Sequence, residues 1–236
     1  MTRDTKMALK DWKGMGAALC LAVLLTGCAG PVEPRGKMIA TATQVAVDTP
    51  LVARYETFHD THGKPQTWWY LRRAHRIEKR IPQLGRAWIW THHHDHLTMQ
   101  QVLLREKRVI DYTTADLKSI RNHPEWKTLR HMLDPHLLSR LKRGTKTQVM
   151  GHPAVRYEGV IESTKLKILW LEDLRLPAEI TRSHRGQTSR IRLTALYPEA
   201  QSPIQPIKLD DFEHMDFADL GDNEADPLWS RLAHPH

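Results

Sequence analysis

His92-His93-His94-Asp95-His96 is the densest run of metal-capable side chains in a chain that holds 15 His and only two Cys. In a continuous strand alternate side chains share a face, so His92, His94 and His96 would line up together. Three imidazoles suit zinc, copper or nickel, with His93 or Asp95 in support. The flanking residues point elsewhere. Before the run the apolar positions are even (Trp88, Trp90); after it they are odd (Leu97, Met99, Leu103). That switch of phase requires a turn or bulge within 92–96, and a solvated turn needs no metal. Asp222, Glu224 and Asp226 have the first oxygen spacings of a calcium loop, but Pro227 stands where the loop needs Gly and Ala233 where it needs the closing Glu. The alternative there is an acidic surface loop that pairs with the basic stretch 72–80. For hydrolysis there is no Gly-x-Ser-x-Gly elbow and no His-Glu-x-x-His pair. The expectation is no catalysis and no cofactor.

Cys28 offers a different chemistry. It follows an apolar run, Met15 to Leu25, and a segment carrying Arg3, Lys6, Lys10 and Lys13 against Asp4 and Asp11. A charged start, an apolar middle of roughly 7–15 residues and small residues at the cut make a secretory signal. The run is too short to span a bilayer, which takes about 20 apolar residues. Leu25-Thr26-Gly27-Cys28 resembles a bacterial lipobox. The resemblance implies cleavage before Cys28 and acylation, with palmitate-type chains, of its sulfur and new amino group. Cys20 would leave with the signal, so the exported chain has no disulfide and no free thiol. Ala29, where retention at the inner membrane of enteric bacteria commonly needs Asp, implies the periplasmic face of the outer membrane.

Residues 1–27 carry four Lys/Arg and two Asp, so their removal lowers the net charge from +8 to +6. A basic exported protein meets anionic membrane surfaces, polysaccharide or acidic proteins, and export separates it from nucleic acid. The alternative is a plain solubility charge. The stretch 72–80, with Arg72, Arg73, Arg76, Lys79 and Arg80, could meet lipid phosphates, or could be an ordinary solvent-facing strand.

These residues need a frame. Residues 28–50, with Gly30, Pro31, Pro34 and Gly36, read as a lipidated N-terminus and flexible tether. Residues 51–226 read as one domain and 227–236 as a tail. Within the domain, 51–57, 67–81, 86–91, 97–104 and 108–112 read as strands of an antiparallel meander. Short helices follow over 115–121, with Thr114 as cap, over 125–133 and around Leu137, Leu138 and Leu141. Strands resume after Gly144: Val155 to Ile161, Leu166 to Trp170, Ala178 to His184 and Ile191 to Tyr197 alternate apolar and polar, the pattern of a sheet packed on one side. Arg185-Gly186-Gln187 is a hairpin turn. The tail from Pro198 reads as poor in strands, with an acidic middle around Phe212 and Phe217.

Gly151, Tyr157 and Gly159, then Ile168-Leu169-Trp170-Leu171-Glu172, Leu176-Pro177 and the Gly186 hairpin resemble the sheet core of the LolA/LolB-like periplasmic proteins, including sigma-factor regulators of the RseB type. The resemblance implies an α+β fold: a curved antiparallel β-sheet, a LolA-like half-barrel, with two or three short helices on its concave face. It implies binding of an acyl chain, a lipid or another envelope component. Trp68, Trp88, Trp90 and Trp170 are the candidate apolar walls for that ligand; the alternative is that they fill a solid core. Two other functions stay open: a metal-binding lipoprotein using His92, His94 and His96, and a purely structural or protein-docking lipoprotein.

Overall fold

The computed structural model describes residues 49–60 and 62–221. Cys28, the tether up to residue 48, and the acidic run 222–226 with the tail 227–236 lie outside them. Twelve strands form one open sheet. In chain order they are β1 (Leu51–His59), β2 (His62–Arg72), β3 (Arg76–Ile81), β4 (Arg86–His93), β5 (His96–Leu103), β6 (Arg108–Tyr112), β7 (Lys142–Val149), β8 (His152–Ile161), β9 (Thr164–Leu171), β10 (Leu176–His184), β11 (Gln187–Pro198) and β12 (Glu213–Asp216). The spatial order is β12-β6-β5-β4-β3-β2-β1-β11-β10-β9-β8-β7. Every pair is antiparallel except β12 with β6, which is parallel. Two meanders thus meet where β1 pairs with β11. Bulges at Arg54/Tyr55, Pro177/Glu179 and Arg143/Lys146 bend the strands and curve the sheet.

Three helices link the meanders: α1 (Thr114–Ser119), α2 (Trp126–His131) and α3 (Pro135–Ser139). Local chemistry defines their ends. Thr113, not Thr114, caps α1 in a reciprocal box with Asp116. Asp134 caps α3, with Pro135 at its start. Arg185 (φ 49°) and Gly186 (φ 78°) turn β10 into β11, both in the left-handed region that such two-residue hairpins need.

Directly opposed residues of an antiparallel pair share a face. Register therefore places Tyr55, Trp68, Tyr70, Lys79, Trp88, Trp90, Met99 and Tyr112 on one inner face. Trp170, Ile168 and Ile180 lie on the same face of the second meander. The helices cover it: Leu117 and Leu129 join the cluster of Trp68, Trp88 and Trp90, while Leu133 joins that of Trp170.

The outer face of β4–β6 is apolar too, and the chain covers it itself. Ala87, Ile89, Val102 and Val109 pack under Ile207, Leu209 and Phe212. The segment 202–212 is thus a strap across the back of the sheet, which then pairs as β12 against the β6 edge. Glu78, 1% exposed, clasps it: its carboxylate accepts from Arg76 Nη2 (3.3 Å), Arg80 Nε (3.1 Å) and the backbone N–H of Ile207 (3.1 Å). Arg76 and Arg80 in turn donate to the carbonyls of Ile207 and Gln205, each at 2.9 Å.

Two expectations are corrected. The run 67–81 is two strands, because Arg73 N–H donates to the Arg76 carbonyl (2.8 Å) and closes a turn over Arg73–His75. The stretch 72–80 is neither a bare phosphate-binding strand nor a plain solvent-facing one. Arg72 is buried on the inner face, and Arg76 and Arg80 are spent on Glu78 and the strap.

Candidate functional site

The inner face is built around aromatic rings at its centre. Tyr55 and Trp68 stack with centroids 4.7 Å apart, and Trp68 Nε1 donates to Thr57 Oγ1 (2.9 Å). Lys79 stands between the strands of Trp68 and Trp88, with Nζ 5.1 Å and 5.7 Å from their ring centroids. An ammonium over two rings is held by their negative faces while its stem shields apolar surface. Trp68, Trp88 and Trp90 are 4%, 6% and 6% exposed, and Trp170 8%. The four candidate wall residues therefore share one face, in two adjoining clusters, and are walled in by short helices and by each other.

Beside the rings lies a polar band that the sequence reading passed over. Tyr70 Oη donates to the carbonyls of Leu129 and Arg130, both at 2.9 Å, and Arg72 Nη1 donates to those of Arg130 (3.2 Å) and Leu174 (2.9 Å). Arg130 Nη1 donates to Ala74 O (2.9 Å). These bonds hold the C-terminal end of α2 against β2. His131 sets its ring edge to Trp170, 6.3 Å between centroids and 87° between planes. Burial, reinforced by Arg72, Arg175, Arg130 and Lys127, pushes its imidazole from the ordinary 6.5 down to about 4. The one available signal was parity: Arg72 continues the alternation of Trp68 and Tyr70 onto the inner face. At the far end, Tyr112 stacks on Phe217 (4.6 Å) and its hydroxyl lies 3.3 Å from Gln101 Oε1, which is wholly buried.

His92, His94 and His96 do not share a face. His94 (φ 52°) and Asp95 form the tip of the β4–β5 hairpin, as the change of phase in the flanks requires. The register sets His92 opposite Leu97, on the inner side, and His93 opposite His96, on the outer side. His92 stacks on Trp126 of α2 at 5.1 Å. Among the described residues, no three His, Cys, Asp or Glu side chains stand grouped around a common point fit for a metal ion.

No protein-family model matches the chain, and no curated protein matches it. Solved structures do align with it. PNGF-II gives a TM-score of 0.43 at 8% identity over 79% of this chain and 33% of that one, so the chain spans about a third of its length. MucB of Pseudomonas aeruginosa, in a structure with MucA, gives 0.37 at 14% identity over 70% and 56%. A domain described as that of an outer membrane lipoprotein-sorting protein, from Vibrio parahaemolyticus, gives 0.31 at 10% identity over 69% and 89%. All three scores lie below 0.5, and the architecture described above rests on this chain's own strand order.

Proposed function

We propose that this chain is a non-catalytic envelope lipoprotein, anchored through acylated Cys28 at the periplasmic face of the outer membrane. Its inner face binds a single-chain or double-chain lipid, or the acyl group of another envelope component. The observation that supports this most is Lys79. Its half-buried side chain covers Trp68 and Trp88 at 5.1 Å and 5.7 Å, where a rigid apolar residue would seal the layer better. A flexible four-carbon stem moves aside more readily than a branched or aromatic side chain. Swung aside, it leaves an aromatic floor for an acyl chain and offers its ammonium to a carboxylate or phosphate head group. The helices around the floor have only five or six residues each, and helices this short depend on packing rather than on their own stability. They can therefore yield to a guest.

The test is mass spectrometry of lipids released, without hydrolysis of the covalent anchor, from the full-length chain purified in detergent. One lipid class retained in stoichiometric amount, and lost from Trp88→Ala, supports the proposal. A lipid content that matches the surrounding membrane in both proteins overturns it and leaves a structural or docking lipoprotein.

A further inference from the structure

α2 crosses the inner face from β4 to β2. His92 stacks on Trp126 at its start (5.1 Å), and Tyr70 and Arg72 hold the carbonyls at its end. Cations collect along this path. Lys127 and Arg130 stand three positions apart, the spacing that puts helix residues on one side. Arg72 and Arg175 stand by the end of the helix, and all four charges act on the imidazole of His131. Arg72 reaches the carbonyl of Leu174, the neighbour of Arg175, at 2.9 Å. Lys127 and Arg175 are exposed. The carboxylates of the adjoining turns are engaged elsewhere. Asp173 takes His152 (2.6 Å) and the N–H of Leu174 (2.9 Å), Glu172 takes Arg143 (2.8 Å), and Asp134 caps α3. Glu125, just before α2, supplies one charge against these four.

The chain itself holds carboxylates within reach. After β12 the turn Phe217–Gly221 folds onto the inner face. Phe217 stacks on Tyr112 (4.6 Å), and Leu220, 7% exposed, enters the cluster that holds Leu129 of α2 and Met132 at its end. The described residues stop there, and Asp222-Asn223-Glu224-Ala225-Asp226 follows. Five extended residues reach about 17 Å. Four strand spacings, from β6 to β2, measure ~19 Å, and α2 begins two strands nearer, over β4. Alternate residues of an extended peptide share a side, which suits three carboxylates to a row of cations. We propose that the acidic run 222–226 lies along α2 and pairs with Lys127, Arg130 and Arg175.

The basic stretch 72–80 does not compete for the run: Arg73 is paired with Glu199, and Arg76 and Arg80 with Glu78. The contact has a consequence for the inner face. α2 has six residues and depends on packing to stay helical, and Leu129 joins it to the cluster of Trp68, Trp88 and Trp90. A peptide pinned across α2 by charge latches this cover over the aromatic floor. That consequence rests on the proposed lipid site; the contact itself does not.

The experiment is carbodiimide coupling of carboxylates to amines in the full-length chain in detergent, with monomer and dimer separated before tryptic mass spectrometry. The wild-type monomer yields a crosslink between Lys127 and the run 222–226. Its yield falls about fivefold or more in Arg175→Glu and in about 1 M salt, which screens exposed charges beyond about 3 Å. A chain carrying both Lys127→Glu and Glu224→Lys restores a crosslink between the same two positions. Circular dichroism equal to that of the wild type shows that the exposed substitutions leave the fold intact. Absence of the crosslink from the wild-type monomer would overturn the contact, as would a yield indifferent to Arg175→Glu and to salt. A crosslink found only in dimers would overturn it too, since the run then serves a second copy. Loss of the retained lipid with the crosslink intact would strike the proposed function and support this contact alone.

Discussion

The Tyr55 hydroxyl donates to the carbonyl of Pro177 at 2.9 Å, across 122 residues of chain. Tyr55 is on β1 and Pro177 on β10, the strands that flank β11. The bond thus locks the junction of the two meanders at the point where bulges break the register on both sides. Pro177 itself has no N–H, and its carbonyl belongs to a buried residue. Tyr55→Phe keeps the ring stacked on Trp68 and leaves that carbonyl unsatisfied. It should cost about 1–3 kcal/mol in urea unfolding. An unchanged midpoint would mean that the junction is held by packing alone.

Glu78→Ala is expected to be worse. It leaves Arg76, Arg80 and the Ile207 N–H converging on an empty place behind the sheet. Breaking a buried ion group from one side costs about 3–5 kcal/mol. The strap should loosen before the sheet does, so limited trypsin digestion would cut at Lys208 in the variant at concentrations that spare the wild type. Glu78→Gln, which keeps an acceptor, should fall between the two. Equal cutting of all three proteins would show that apolar contacts of Ile207, Leu209 and Phe212 suffice.

Much of this frame was readable from residues. Strict alternation over 166–170 and 191–197 gave strands with one buried face, and the even-to-odd switch around 92–96 gave the hairpin tip. The break at 73–75 was hidden because Trp68, Trp69, Tyr70 and Leu71 are apolar on both faces. On the outer side Trp69 packs against Tyr197 of β11, 6.3 Å between ring centroids, a contact far away in the chain. The strap over β4–β6 was invisible too, since Ile204, Ile207, Leu209 and Phe212 follow no period and Pro203 and Pro206 interrupt its start. Only parity with Trp68 and Tyr70 pointed to Arg72 facing inward, and no local pattern announces that His75 stacks on His93.

His131 makes stability depend on pH with a definite sign. Unfolded, its imidazole takes a proton near 6.5; folded, it resists until about 4. Between those values the unfolded chain binds a proton that the folded chain refuses, so stability falls as pH drops from 6.5 toward 4 and this loss is complete below. His131→Gln removes the contribution. Relative to the wild type, the variant should gain stability steadily as urea midpoints are compared at decreasing pH through that window. A constant difference between the two proteins would show that His131 is solvated and titrates normally.

Cys28→Ser should abolish acyl labelling in cells and leave the precursor uncleaved, since both steps act at the thiol. With the wild-type cysteine, Ala29 predicts that the labelled protein fractionates with the outer membrane. Labelling that survives the substitution, or fractionation with the inner membrane, would contradict this part of the proposed function.

The central claim is that the aromatic inner face receives a lipid where Lys79 now lies. Titration of a fluorescent fatty acid into the full-length chain in detergent below its micellar concentration tests this most directly. Saturation at about one probe per chain, displacement by phospholipid, weaker binding in Lys79→Glu and quenching of tryptophan emission that Trp88→Phe diminishes are the predicted results. A linear, non-saturating signal from a protein whose circular dichroism shows it folded, unchanged by either substitution, would contradict the account.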